Sequence, residues 1–158
     1  MHAFISSRLD FCNSLLYGLP DLELKRLQKL QNQAARVVTG AGRFDHITPI
    51  LHGLHWLPVN QRVAFKVLTF THKCVHGGAP DYLHLERKVA VRSTRQSTAL
   101  TLNVKSAKRK NCGDRAFTVC APTLWNSLPA PMRATEDLSA FKSLLKTFLF
   151  MIAFSQFN

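Results

Sequence analysis

Apolar residues recur at helical spacing along most of the chain, and this pattern predicts a mainly helical protein. Pro58 suits the start of a helix, and Gly40 and the Gly77-Gly78 pair suit helix ends. The predicted helices cover residues 5–16, 21–40, 58–77 and 135–149. A short turn at residues 48–51 is expected before the second long helix.

Two later stretches alternate apolar and polar residues, which is the spacing of a β-strand. The alternating apolar residues are Leu100, Leu102 and Val104, and then Phe117, Val119 and Ala121. A basic turn over residues 105–114 joins the two stretches. The predicted fold is therefore a mainly α, small helical domain with one short β-hairpin near residues 98–121.

The same periodicity predicts which large side chains form the interior. Trp56 and Trp125 each sit in an apolar stretch, which favours a place in the core over base stacking. The residues expected to be largely buried in one core are Leu27, Leu30, Trp56, Val63, Val67, Phe70, Phe117, Trp125, Phe141 and Leu145.

Composition adds a strong positive charge to this picture. The 158 residues include 21 Lys+Arg against 9 Asp+Glu, a net charge of +12, while 46% hydrophobic content argues against disorder. Residues 24–73 sum to +7 and residues 87–115 to +8, so two basic blocks carry the charge. Such blocks favour a polyanionic partner, and RNA or DNA is the expected one.

Three groups of cations are the candidates for contact with phosphate. The α-helical spacing places Lys25, Lys29 and Arg36 within about 40° of one another, and it does the same for Arg62, Lys66 and Lys73. The third group lies in the second block, in an exposed connector and in the basic turn. The candidate nucleic-acid-binding residues are Lys25, Lys29, Arg36, Arg62, Lys66, Lys73, Arg92, Arg95, Lys105, Lys108, Arg109 and Lys110.

Catalytic and metal-binding patterns are not met. Asp-Asp never occurs, no Gly-x-Ser-x-Gly is present, and Gly40-Ala41-Gly42 lacks the Lys that follows in a phosphate-binding loop. The pair His72 and His76 has zinc-chelating spacing, but a zinc site needs four ligands. We therefore expect no catalytic residue, no metal and no cofactor.

No targeting segment is evident near the N-terminus, and the apolar stretch at 148–154 is too short to cross a bilayer. A membrane partner is therefore not expected. The four cysteines are expected to be reduced thiols, mostly packed in the core.

Eight short stretches, in order, resemble one family. They are Ser7-Arg8-Leu9-Asp10-Phe11-Cys12-Asn13-Ser14-Leu15-Leu16-Tyr17-Gly18-Leu19-Pro20, Leu27-Gln28-Lys29-Leu30-Gln31-Asn32-Gln33-Ala34-Ala35-Arg36, Asp45-His46-Ile47-Thr48-Pro49-Ile50-Leu51, Leu54-His55-Trp56-Leu57-Pro58-Val59, His76-Gly77-Gly78-Ala79-Pro80-Asp81-Tyr82-Leu83, Gly113-Asp114-Arg115-Ala116-Phe117, Ala121-Pro122-Thr123-Leu124-Trp125-Asn126-Ser127-Leu128-Pro129 and Phe141-Lys142-Ser143-Leu144-Leu145-Lys146. The series resembles the C-terminal, post-thumb region of the reverse transcriptase polyprotein of non-LTR (LINE-type, jockey-like) retrotransposons. The resemblance covers one domain over residues 1–150 and leaves 151–158 as a divergent tail.

The resemblance implies a catalytically inactive fragment of an RNA-directed DNA polymerase, because the endonuclease, fingers and palm have no counterpart here. It implies non-specific binding to the RNA or DNA backbone, in the nucleus or the cytoplasm, beside the rest of a reverse transcriptase. Two alternatives stay open. One is a helical protein-interaction module that packs on the polymerase thumb, which exposed apolar faces in residues 1–20 and 138–154 would favour. The other is a decayed product without function.

The basic turn gives a first testable prediction. Unpaired ammonium groups are costly to bury, so its cations must face water or phosphate. Replacing Lys108, Arg109 and Lys110 with Ser should flatten the slope of log affinity against log salt by about 2 to 3 units on duplex DNA. Affinity should fall about equally for unrelated sequences. An unchanged slope and affinity would show that the turn is only solvated.

Overall fold

The computed structural model describes residues 2–80, 82–88, 100–107 and 113–155. Helices dominate these residues, so the mainly α prediction is confirmed, and a 3-10 turn at Asn13–Leu16 follows the first helix. The α-helices are α1 (His2–Asp10), α2 (Asp21–Thr39), α3 (Ile47–Gly53), α4 (Val59–Val75), α5 (Phe117–Ser127), α6 (Ala130–Arg133) and α7 (Leu138–Ala153).

The ends of the long helices lie where glycine and proline predicted them. Gly40 follows α2 with φ +70°, a left-handed conformation that suits glycine, and its amide donates to the carbonyl of Arg36. Pro58 directly precedes α4, and its carbonyl accepts the amide of Arg62 at 3.0 Å. The α7 helix begins after Asp137, whose carboxylate accepts the amide of Ala140 at 2.6 Å.

The chain divides into two compact units. The first unit contains Met1–Ala64 and Lys146–Asn158, and the second contains Phe65–Leu145. The prediction of one domain over residues 1–150 stays a prediction.

The core of the first unit combines small and large side chains. Ala34 and Ala35 of α2 pack with Leu51, Trp56 and Phe154, all of which are buried. Half-buried aliphatic and aromatic residues surround this cluster: Ile5, Ile47, Ile50, Leu54, Phe150 and Ala153. The prediction that Trp56 is a core anchor is confirmed.

Glutamine side chains of α2 bind the segment that leads into α4. Gln31 is fully buried and donates to the carbonyl of Leu57 at 2.8 Å. Gln28 accepts the backbone amide of Val59 at 2.9 Å. These bonds satisfy backbone groups that precede the first complete turn of α4.

The core of the second unit is aromatic. Trp125, Phe141 and Leu145 are fully buried, and the Trp125 and Phe141 rings lie 5.6 Å apart. His72 stacks on Phe141 with ring centroids 4.4 Å apart, and its Nε2 donates to the carbonyl of Thr135 at 2.9 Å. The hydrogen bond to Thr135 and the ring contact with Phe141 therefore compensate the burial of this imidazole.

The predicted β-hairpin is wrong for the described residues. The stretch from Phe117 to Ser127 is the helix α5, with Pro122 inside it, and the other arm forms only an isolated antiparallel bridge between Arg87 and Leu102. The reason lies in the side chain of Asn126. It accepts the amide of Leu102 at 2.9 Å and donates to the carbonyl of Leu102 at 2.8 Å, so it replaces a partner strand.

Part of the predicted core is also wrong. Leu30 is 56% exposed and Phe70 is exposed, whereas Leu27 and Phe117 are half-buried. The buried residues of α2 are Gln31, Ala34 and Ala35. The small alanine side chains allow other segments to approach the helix closely, and the Gln31 amide donates to the carbonyl of Leu57. The remaining predicted core residues are buried: Trp56, Val63, Val67, Trp125, Phe141 and Leu145.

The burial of His72 predicts that the protein loses stability in acid. Desolvation lowers the pKa of His72 below its ordinary value of 6.5, although the bond to Thr135 opposes this and the nearby charges of His76 and Asp137 act in opposite directions. The unfolded chain therefore binds this proton more readily than the folded one. Stability from neutral His72 is complete above pH 6.5 and declines as the pH falls below that value.

Thermal unfolding between pH 7.5 and 5 measures this effect. The H72Q variant keeps a donor for Thr135 but no titrating ring, so its unfolding temperature should fall less than that of the wild type. The exposed His76, one turn later, gives the matched control, and H76Q should keep most of the wild-type decline. An H72Q decline as steep as that of the wild type would assign the acid sensitivity to other groups.

Candidate nucleic-acid interface

The α2 basic stripe consists of Lys25, Lys29 and Arg36, and the helix Asp21–Thr39 places all three on one face. Lys25 and Lys29 are exposed, and neither forms an ion pair within the described part of the chain. Lys25 also borders an open cleft of about 240 Å³ whose lining includes Asp21 and Asn60. The two lysines lie one turn apart and are accessible to an anion from outside.

Arg36 has a different role, because its guanidinium binds the loop between α2 and α3 (residues 40–46). Its Nε donates to the carbonyl of Gly42 at 3.2 Å, and its Nη2 donates to the carbonyl of Asp45 at 3.1 Å. The Asp45 carboxylate accepts the Gly42 amide at 2.6 Å. Arg36 therefore fixes this loop to the same face of α2 that carries Lys25 and Lys29.

Two residues of this loop were missed by sequence reasoning. Arg43 and Phe44 are both exposed, and Phe44 is 93% exposed. The sequence does contain a signal for them: Gly40 and Gly42 come just before an Arg-Phe pair. The residues around this pair have no helical or strand periodicity, so nothing in the pattern predicts that the ring is buried. The loop adds one cation and one aromatic ring to the predicted stripe.

The α4 basic stripe consists of Arg62, Lys66 and Lys73, and its first member is already paired. Arg62 is bound to Asp10 by Nε at 2.8 Å and Nη2 at 2.6 Å, and its side chain is only 15% exposed. A phosphate at Arg62 has to compete with this two-bond carboxylate contact. Arg62 therefore holds α1 to the start of α4 within the first unit.

The two lysines of the α4 basic stripe lie farther along the helix and are half-buried. The Lys66 ammonium lies 5.6 Å from the centre of the Phe70 ring, a cation–π contact on the surface of the second unit. The stem of Lys73 lies against Gly78, 3.8 Å from the position that a Cβ would take there. Neither lysine forms an ion pair among the described residues, so both keep their charge for a partner.

Lys105, at the start of the basic turn, pairs with Glu86. Their Nζ and Oε1 atoms lie 2.8 Å apart, and both side chains are exposed. The hydrogen bond from Lys105, together with one from Asn103, lowers the pKa of Glu86 below its usual value. Because solvent screens an exposed ion pair of this kind, a phosphate can compete with this carboxylate.

The remaining candidate cations of the second basic block are not covered by the structure. Arg92, Arg95, Lys108, Arg109 and Lys110 lie outside the described residues. Their assignment as phosphate contacts stays a prediction from the sequence.

The cysteine and histidine side chains near the end of α4 were the metal candidates. The rings of His72 and His76 lie 4.3 Å apart, but burial raises the pKa of the Cys74 thiol, which disfavours the thiolate that binds metals. Within residues 2–80, 82–88, 100–107 and 113–155, no three His, Cys, Asp or Glu side chains come close enough to hold a metal ion.

None of the helices in the described residues is both long enough and apolar enough to cross a bilayer.

No family model, curated protein or solved structure matches the chain.

Proposed function

We propose that the chain is a catalytically inactive C-terminal part of a non-LTR retrotransposon reverse transcriptase that binds RNA or DNA through the phosphate backbone. The resemblance of eight ordered sequence stretches supports the family. One structural observation supports the binding: Lys25 and Lys29 are exposed, lie one turn apart on one face, and form no ion pair within the described part of the chain.

The chemistry of these side chains fits the backbone rather than the bases. A lysine ammonium meets a phosphate oxygen as a point charge, and each such contact releases a condensed counterion from the nucleic acid. Phosphates are the same at every nucleotide, so these contacts carry no sequence information. The net charge of +12 adds long-range attraction that raises the rate of encounter.

The K25S/K29S double variant tests the binding. Loss of two phosphate contacts should lower affinity and flatten the slope of log affinity against log salt by about 1.4 units on single strands and about 1.8 units on duplex DNA. Purified full-length chain is titrated with fluorescent RNA, single-stranded DNA and duplex DNA at several salt concentrations.

Lys142 and Lys146 give a matched control, because they have the same four-residue spacing on α7 and belong to neither basic stripe. The K142S/K146S variant should leave the slope nearly unchanged. Equal changes in both double variants would mean that only total charge matters, and an unchanged slope in K25S/K29S would remove α2 from the interface.

A second candidate function is a protein-interaction module that packs on the polymerase thumb. Exposed apolar residues in the first twenty positions and in residues 138–154 favour it, and the structure has them in both places. They are Phe4, Phe11, Leu15, Leu144, Met151 and Ile152. Apolar groups of this size are stabilised by burial, so their exposure supports a partner surface.

This candidate predicts association with a jockey-like reverse transcriptase from which the corresponding C-terminal region has been removed. The F11S/L15S variant should weaken the complex at least about tenfold, because burying two such side chains contributes about 1.5–3 kcal/mol each. The K25S/K29S variant should bind that polymerase normally. Equal binding by the wild type and F11S/L15S in a pull-down titration would contradict the second candidate.

A further inference from the structure

The loop between α2 and α3 presents its aromatic ring from a fixed backbone. Gly40 ends α2 at φ +70°, and the amide of Ala41 returns to the carbonyl of Arg36 at 3.1 Å. Beyond it, Gly42 and Asp45 are joined by two hydrogen bonds, one from the Gly42 amide to the Asp45 carboxylate and one from the Asp45 amide to the Gly42 carbonyl at 3.3 Å. Because the loop is already ordered, binding through it loses little conformational entropy.

Phe44 projects from this loop with 93% of its surface exposed. Its described ring contact is with Arg43, whose guanidinium carbon lies 5.9 Å from the ring centre. A flat aromatic ring with this exposure offers a face on which another ring can stack.

The charge around Phe44 selects the partner. Arg43 is its neighbour in the sequence, and the Arg36 guanidinium donates to two backbone carbonyls of the loop. Lys25 and Lys29 lie on the same face of α2 as Arg36. Asp45 is the acid of the loop, and its carboxylate is bound to the Gly42 amide. An apolar protein pocket that enclosed Phe44 would desolvate the adjacent arginine, whereas a nucleic acid supplies phosphates for it.

We propose that Phe44 is a stacking site for an unpaired base of single-stranded RNA or DNA, with Arg43 on an adjacent phosphate and the α2 basic stripe continuing along the backbone. This inference rests on the proposed function and adds a base contact to it. Single strands are favoured over duplexes because their bases expose a face to a projecting ring. Every base has such a face, so the contact tolerates any sequence.

The test compares a short single-stranded oligonucleotide with an abasic strand that has the same number of phosphates. Wild-type full-length chain should bind the strand with bases about tenfold more tightly. In F44A this preference should disappear while the salt slope stays unchanged, and in F44Y it should be retained. Tyr82, which is 82% exposed in the second unit, gives the control, and Y82A should keep the preference.

The F44W variant provides a direct optical signal. Trp56 and Trp125 are buried, so an added indole at position 44 is the one that a base can reach. Its fluorescence should be quenched by the strand with bases and not by the abasic strand. Equal thermal unfolding of F44A, F44W and wild type would show that the loop substitutions leave the fold intact.

The outcomes separate this inference from the proposed function. Binding that depends on salt but shows no preference for bases, or a preference that survives in F44A, would overturn stacking at Phe44 and leave backbone binding in place. A chain that binds neither strand in a salt-dependent way would overturn both. An F44A variant that changes the salt slope as much as K25S/K29S would also overturn stacking, because Phe44 would then act through the position of the cations.

Discussion

Side chains on helices bind the backbone of the segments between helices, and the fold depends on this kind of hydrogen bond. The Gln31 side chain donates to the carbonyl of Leu57. The Asn126 side chain forms hydrogen bonds with both the amide and the carbonyl of Leu102. The Arg36 guanidinium donates to two carbonyls of the loop that follows α2. Buried or half-buried backbone groups need partners, and no strand supplies them in the described residues. The connectors therefore have fixed conformations without a sheet.

The sequence allowed the helix ends to be predicted but not these contacts. Gly40 and Pro58 act within a few residues of their position, so the limits of α2 and α4 followed from local rules. The hairpin prediction failed because strand-like alternation does not show that Asn126, 24 residues away, will bind Leu102. The sequence pattern predicted the wrong buried face for α2. Glutamine is polar and is expected at the surface, and the carbonyl that allows Gln31 to be buried is not visible in the sequence.

In the candidate site, too, local geometry could be predicted from the sequence and long-range contacts could not. Helical spacing placed Lys25 and Lys29 on one face correctly, since it depends only on the geometry of α2. The ion pair of Arg62 could not be predicted from the sequence, because its partner Asp10 lies 52 residues earlier. Charge counts treat every cation alike, so they overstate how many of them a phosphate can use.

Several arginines of the described residues bind oxygens of the chain itself, whereas Lys25 and Lys29 of α2 form no ion pair there. Arg36, Arg62 and Arg133 point their planar guanidinium groups at carbonyl or carboxylate oxygens of the chain itself. A fork of fixed donors suits two acceptors at set positions, which is what a folded backbone provides. Lysine, with one mobile ammonium, is left to carry charge at the surface of α2.

Under the proposed function, the lysines of α2 allow the chain to move along a nucleic acid. Ammonium groups on flexible stems hold a phosphate without fixing its angle, so neighbouring phosphates are nearly equivalent to Lys25 and Lys29. A protein held in this way exchanges one phosphate for the next at little cost and diffuses along the strand instead of resting in one register. Under the proposed function, the α2 basic stripe therefore lets a strand slide along α2 without fixing its register.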